Sequence, residues 1–384
     1  MNIALVSPYD FAYPGGVTAH ISCLADNFTR MGHNVKIVTP HSNVHDAPDR
    51  DDIITVGRPF PIPMAGSVAR ITLSPRLAPK VKKILMEGNF DVVHIHEPLA
   101  SALPITFLRF SKAVNIGTFH AYHGSHRGYK YGRRILNRWF RKLDGKIAVS
   151  RPAAEFVSQY FPGYYNIIPN GIDVSHFSAD VAPIEKYYDG KINILFVGRM
   201  EKRKGLKHLV RAYAKVKAEV PDSRLIVVGP IGGDYEDCER IIAENGTEDV
   251  DFTGYVSYDD LPRYYRAADV FCSPAIGKES FGIVLLEAMA AARPIVATNI
   301  EGYASVMTHG VEGLLVRPKD EESLVQALVK LLNDEERRSE LGAQGRVKAW
   351  EYDWPRVSQR VLSYYERILG EKAEIRQDTE LGSS

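Results

Sequence analysis

Short apolar runs that end in polar residues recur along the chain, and the stretches between them carry apolar positions every three to four residues. NIALVSP is the first such run; a Gly-Gly pair and the helically spaced VTAHISCLADNFTRMG follow, closed by Gly32. HNVKIVTP, DVVHIHE, VNIGTFH, GKIAVS and YNIIPN repeat the strand pattern. A second series begins near residue 191: KINILFVGRM reads as a strand, GLKHLVRAYAKVKAEVP as a helix stopped by proline, then SRLIVVGP, VDFTGY, DVFCSP, RPIVATN and GLLVRP as strands. Strands alternating with helices imply parallel βαβ units covered on both faces. The stretch IIPNGIDVSHFSADVAPIEKYYDG between the series reads as a linker, WPRVSQRVLSYYERIL as a last helix, and the tail EKAEIRQDTELGSS as frayed. The pattern predicts an α/β protein of two doubly wound domains. Ligands of such sheets sit beyond the carboxyl ends of the strands, so two domains facing a central cleft would gather their strand-end motifs there.

Composition narrows the class without changing this picture. The 384 residues, 45% hydrophobic and 25% charged, suit about two globular domains. No apolar run reaches the ~18 residues of a membrane span, and MNIALVSPYDF reads as a first strand rather than a signal peptide. Three distant cysteines without a CxxC argue against a disulfide framework or a zinc site and fit a reducing cytoplasm. Charge does change the picture. Residues 58–142 hold 15 Lys or Arg against 3 Asp or Glu, although the whole chain nets only +1. This asymmetry points to an anionic partner for the first domain: a membrane surface, a phospholipid head group or nucleic acid.

Three stretches could carry chemistry. In PYDFAYPGGVTAH, Gly15 and Gly16 open a helix after the first strand, where backbone amides can approach an anion. The stretch lacks the GxGxxG fingerprint of dinucleotide binding, and an ordinary tight turn is the alternative. In GRMEKRKGL, Arg199 just past a strand and Lys204 five residues later offer a fork and a point charge to a diphosphate, with further cations in the same turn. In GKESFGIVLLEAMA, Ser280, Phe281, Gly282 and Ile283 start a helix whose free N–H groups favour phosphate. Glu279 precedes that start and suits sugar hydroxyls. Glu287 lies two turns along among apolar residues, a costly place for a carboxylate unless it is paired or reads a ribose.

The Glu279-to-Glu287 spacing within ESFGIVLLEAMA resembles the signature of retaining glycosyltransferases of family 4. The GR…KG element, the Gly-Gly turn, PNGID and DLPRYYRAADVFCSP match as well, so the likeness covers nearly the whole chain. It implies the GT-B fold, with an acceptor domain at 1–175 joined by a returning helix at about 356–384, and a nucleotide-sugar domain at 176–355. It implies that Arg199 and Lys204 neutralise the donor diphosphate, Glu287 holds the ribose, Glu279 the transferred sugar, the Gly16 amide the diphosphate, and His120 the donor sugar. GPIGG and GYVS, with Val256, would border the base. The family's chemistry uses no metal or other cofactor. The residues agree in that no DxD closes a strand; His94 and His96 share one strand face and read as packing or cleft residues.

Within the family, GSVAR, KVKK and the EG-F-DV-HIHEP run resemble enzymes that mannosylate phosphatidylinositol. That likeness implies a GDP-mannose donor and places Tyr9 and Arg70 on the inositol phosphate. After Pro79, Leu77, Val81, Ile84 and Leu85 fall at helical spacing beside a basic row of Arg76, Lys80, Lys82 and Lys83, which suits an anionic bilayer. Peripheral attachment to the inner face of the plasma membrane is the expectation. The run Ala121 to His126 departs from the family pattern beside the acceptor. Two alternatives stand: a UDP-sugar enzyme with another acceptor, and a basic nucleic-acid-binding protein, although no nucleic-acid module is recognisable.

Overall fold

The computed structural model describes residues 1–13, 15–42, 50–64, 67–120, 126–182, 184–277 and 279–381. The chain forms two compact units, Met1–Gly171 with Trp354–Ser384, and Ile172–Asp353. The sequence expectation put these joins at 175/176 and 355/356. The joins fall where they do because Ile172 N–H donates to the Tyr352 carbonyl at 2.9 Å, tying the two ends of the second unit together. In the first unit a Cβ on Gly171 would lie 2.4 Å from the Trp354 ring, so glycine allows that close approach.

The strands of the first unit are β1 (Asn2–Val6), β2 (Asn34–Thr39), β3 (Ile53–Thr55), β4 (Phe60–Met64), β5 (Ser67–Ile71), β6 (Val92–His96), β7 (Val114–Phe119), β8 (Gly145–Ala148) and β9 (Asn166–Ile167). Seven form a parallel sheet in the order β3-β2-β1-β6-β7-β8-β9, and β4 and β5 form a separate antiparallel hairpin. The second unit contains β10 (Ile192–Val197), β11 (Ser223–Val228), β12 (Val250–Gly254), β13 (Val270–Ser273), β14 (Ile295–Thr298) and β15 (Gly313–Val316), in the parallel order β12-β11-β10-β13-β14-β15. Strand side chains alternate between faces, so a strand covered on both sides is apolar along a continuous run, with any polar residue in it hydrogen-bonded. In β1, Ile3 and Leu5 enter one core while Ala4 and Val6 enter the other. In β11, Leu225 and Val227 do the same opposite Ile226 and Val228.

Three expectations are corrected. The linker is partly ordered: Asp173 caps a helix at Val174–Ser178, its carboxylate accepting from His176 N–H. The tail expected to fray, residues 371–384, is helical as far as it is described: one helix runs from Trp354 to Leu381, and Lys372 on it reaches Asp144 at 2.8 Å. That helix belongs to the first unit, where Val357, Val361, Leu362, Tyr365 and Ile368 enter the core. Third, β3 and the β4–β5 hairpin went unrecognised, because their prolines and short lengths hide the strand pattern.

Strand order reverses direction once in each sheet, between β1 and β6 and between β10 and β13. Such switch points open crevices at the carboxyl ends of the strands. The segments leaving β1, β10 and β13 are the ones the sequence singled out for chemistry.

Candidate active site

In the second unit, the chain leaving β10 carries Arg199 and turns through a 3-10 segment at Lys202–Lys204. Gly205 ends the turn with φ +74°, and a Cβ there would lie 2.0 Å from the Pro274 carbonyl oxygen after β13. The KG pair is thus a backbone requirement that pins the cationic turn against the neighbouring strand end. Lys204 Nζ then lies 2.8 Å from the Glu279 carboxylate, and Arg203 binds the same oxygen. Arg203 also holds Glu201 at 2.8 Å, and Glu201 holds Arg199 at 2.9 Å. Arg199, Lys204 and Glu279 therefore belong to one charge network in which acid and cations neutralise each other. Arg203 is a member the sequence reading passed over as one of several cations in the turn.

Gly282, at φ +97°, begins the helix Ile283–Ala290, and no side chain caps it or places a negative charge in its first turn. Its N-terminal amides carry the partial positive charge of the helix end. Ser280 is half-buried, whereas the Phe281 ring is in the core. Glu287 is buried and accepts a 2.7 Å hydrogen bond from the Tyr265 hydroxyl. Burial raises the Glu287 pKa above the usual carboxylate range, while the Tyr265 bond and the nearby Lys204 charge pull it back. Tyr265, the partner that makes a helix-buried glutamate tolerable, lies 22 residues away and was not foreseen. Val256 is half-buried against the core beneath this region.

Glu287 sets up a stability trade-off. The folded chain binds the Glu287 proton more tightly than the unfolded chain does. This group therefore lowers stability as pH rises from the ordinary carboxylate range through its raised pKa. Glu287→Gln keeps an oxygen for Tyr265 and removes the buried charge. Its melting temperature should exceed that of the native protein at neutral pH, with the gain shrinking towards pH 4, while nucleotide affinity falls. A gain independent of pH in thermal melts would show that charge burial is not the cause.

In the first unit, Gly15 precedes the helix Gly16–Arg30, whose first turn holds no acidic residue. Gly15 and Thr18 cap each other, Gly15 N–H donating to the Thr18 hydroxyl at 3.0 Å. Gly16 is exposed, with open space where a Cβ would stand. Tyr9 bridges to Ile71, beside Arg70, whose carbonyl accepts from Asp10 N–H at 3.1 Å and whose guanidinium lies 3.5 Å over the Tyr13 ring. Tyr9 and Arg70 are thus brought to one surface. Burial, and then the Glu97 charge, push the Tyr9 hydroxyl pKa upward.

His120 follows β7. Its backbone N–H donates to Glu97 Oε1 at 2.6 Å, and its Nε2 contacts His96 Nδ1 at 2.9 Å. Glu97 is buried with φ +46°, a left-handed backbone uncommon for a non-glycine residue. Sequence reasoning missed Glu97, although it ends the HIHE run at a strand terminus. His94, on the same strand, bonds Thr118 at 2.6 Å and the Tyr365 hydroxyl at 2.5 Å. Burial lowers the His94 pKa to about 3 and His20 to about 4, so both rings are neutral. Residues 121–125 of the run that departs from the family pattern lie outside the described residues.

Among the described residues, His20, His96 and His120 form the group that could offer three nitrogens to a metal, all within 4.8 Å of one another. A tetrahedral zinc with nitrogen ligands at about 2.1 Å needs them about 3.4 Å apart. A shared proton already links His96 to His120. In this structure His96 and His120 are hydrogen-bonded to each other, and His20 packs edge-on against both.

The membrane expectation needs a correction. Leu77, Val81 and Ile84 are buried in the first unit's own core, and Leu85 packs against it, so this apolar stripe is not available to a bilayer. Arg76, Lys80, Lys82 and Lys83 remain exposed. Lys83 pairs loosely with Glu87 at 3.7 Å, and Lys82 lies over the Phe110 ring at 4.6 Å. Among the described residues nearby in sequence, the exposed large apolar ones include Phe60 at 53%, Val68 at 50%, Leu73 at 53% and Met86 at 77%. No described helix is long and apolar enough to cross a membrane.

Two parallel-sheet units, each with an anion-receptive helix start, and an acid-cation network at one switch point define a GT-B glycosyltransferase. Residues 14–176 match Glycosyltransferase Family 4 and residues 180–348 match Glycosyl transferases group 1; the chain belongs to this family of enzymes. It is 36% identical over 371 residues to the phosphatidyl-myo-inositol mannosyltransferase of Mycolicibacterium smegmatis, covering 96% of this chain and 95% of that protein. The Mycobacterium leprae protein of the same name is 36% identical over 380 residues, 98% of this chain and 100% of that one. Among solved structures, Anabaena HepE in complex with UDP and glucose matches with a TM-score of 0.75 at 19% identity, over 95% of this chain and 99% of that one.

Proposed function

We propose that this glycosyltransferase moves mannose from GDP-mannose to phosphatidylinositol with retention of anomeric configuration and without a metal ion. The observation that carries this reading is the 36% identity to phosphatidyl-myo-inositol mannosyltransferases across both units. In this reading the second unit holds the donor. Arg199, Lys204 and the amides at Gly282 and Ile283 neutralise the diphosphate, Glu287 reads the ribose, and Glu279 the mannose. In the first unit, Tyr9 and Arg70 take the inositol phosphate, the Gly16 amide serves the diphosphate and His120 the sugar. The bond from C1 to the diphosphate oxygen breaks, the acceptor oxygen takes C1 on the same face, and the acceptor proton passes to the departing diphosphate. Fixed cations and helix amides lower the barrier electrostatically.

Transfer from GDP-mannose to phosphatidylinositol in vesicles, with the product anomer read by NMR, is the decisive assay. An α-mannoside is the expected product; a β-mannoside, or turnover only with UDP-sugars, would overturn the reading. In thermal shift, a donor at ~100 times its dissociation constant should add about 2.7 kcal/mol of stability.

The exposed basic row is assigned to the anionic cytoplasmic leaflet, where each cation contributes about 1 kcal/mol. Changing Arg76, Lys80, Lys82 and Lys83 together to Gln should weaken binding to anionic vesicles by at least ~100-fold and leave GDP affinity unchanged. Equal losses in both sedimentation and GDP titration would indicate misfolding instead.

A further inference from the structure

His96 ends β6 and His120 follows β7, neighbouring strands in which His96 is opposite Thr118. The two rings stack with centroids 5.2 Å apart at 27°, and His96 Nδ1 lies 2.9 Å from His120 Nε2. One proton lies on that line. A neutral imidazole carries a single N–H, and the other nitrogen accepts. Deep burial and the neighbouring imidazoles lower both pKa values well below the ordinary histidine range, so both rings are neutral at physiological pH. The direction of the shared bond therefore fixes both tautomers.

The far nitrogen of His96 decides that direction. His96 Nε2 is buried and has no hydrogen-bond partner among the described residues. If His120 were the donor, His96 would carry its own proton on Nε2, as a buried donor with nothing to bond. Leaving a buried polar group unsatisfied costs about 1–3 kcal/mol, and orphaned N–H groups are rarer than under-used acceptors. His20 lies edge-on to both rings, with centroids 5.3 Å from His96 and 4.9 Å from His120, and forms no hydrogen bond with either.

We infer that His96 carries its proton on Nδ1 and donates it to His120 Nε2, so that His120 is protonated on Nδ1 and meets its ligand as a hydrogen-bond donor. His96 is thus a positioning residue. His120's one lone pair is already used, so it does not act as a general base. It presents an N–H to a hydroxyl or ring oxygen of the sugar, while Glu97 fixes its backbone. The ligand part of this inference rests on the role proposed above for His120; the tautomer does not.

The test begins with the native full-length chain. In histidine labelled with nitrogen-15, two-bond proton–nitrogen spectra at neutral pH distinguish N–H from bare nitrogen, and the His120 signals are those missing from His120→Gln. The expected result is a bare Nε2 and a protonated Nδ1 on His120; the opposite tautomer overturns the inference whether or not the chain transfers mannose. In turnover, His96→Ala should lower kcat at least about tenfold, as loss of a tautomer-fixing partner does, with the donor KM unchanged. His96→Asn, whose amide can still donate, should recover most of that loss. Equal losses in the two variants would overturn the positioning role.

Discussion

Glu279→Gln should lower kcat by at least about 100-fold, the scale of one preorganised electrostatic contact, and should leave GDP affinity equal to or tighter than that of the native protein. The second half of this expectation comes from the structure. Glu279 neutralises Lys204 at 2.8 Å and also binds Arg203. An incoming diphosphate must compete with that carboxylate for both cations. The amide keeps the shape and one acceptor oxygen but gives up the charge, so the cations become freer for phosphate. In the proposed mechanism transfer should suffer because the acid would no longer grip the sugar that is developing positive charge. Turnover with saturating GDP-mannose and calorimetry with GDP together check this. Undiminished turnover would remove Glu279 from the mechanism, and weakened GDP binding would show that the ion pair builds the phosphate site rather than opposing it.

Lys204→Ala should act in the opposite sense on binding. Its side chain is only 14% exposed and sits in the turn pinned by Gly205, so its position is preset and little is lost in ordering it. Removing it should lower kcat/KM by about 100- to 1,000-fold, equivalent to about 3–4 kcal/mol of transition-state stabilisation, and should weaken GDP in parallel. Glu279 keeps Arg203, so the fold should survive with a small change in melting temperature. A variant that binds GDP normally yet transfers slowly would move Lys204 from the diphosphate to another role. Double-mutant cycles between Lys204→Ala and Glu279→Gln should show strong coupling, since the two groups share one contact.

Much of this architecture was legible as pattern. Strands such as β1 and β11 are buried on both faces, which favours the unbroken apolar runs Ile3–Val6 and Leu225–Val228 and makes them visible without partners. The Glu279–Glu287 spacing and the KG pair were legible as a resemblance to a family signature, and the structure supplies the reason for the glycine, a left-handed Gly205 against the Pro274 carbonyl. The membrane helix shows where pattern misleads. An apolar stripe at helical spacing looks the same whether it meets lipid or its own core, and Val81 and Ile84 chose the core.

The amino-acid order by itself made the two α/β halves, the cationic turn with Lys204 and Gly205, and the acidic pair around one helix start legible, because apolar periodicity and motif spacing are read within a few residues. Tertiary structure decided the partners: Arg203 and Lys204 on Glu279, Tyr265 on Glu287, Glu97 and His96 on His120. Each of these joins residues 22 to 76 positions apart. The register of adjacent strands brings the groups at their ends together, helix packing brings Tyr265 to Glu287, and charge and tautomer are fixed only by what stands opposite.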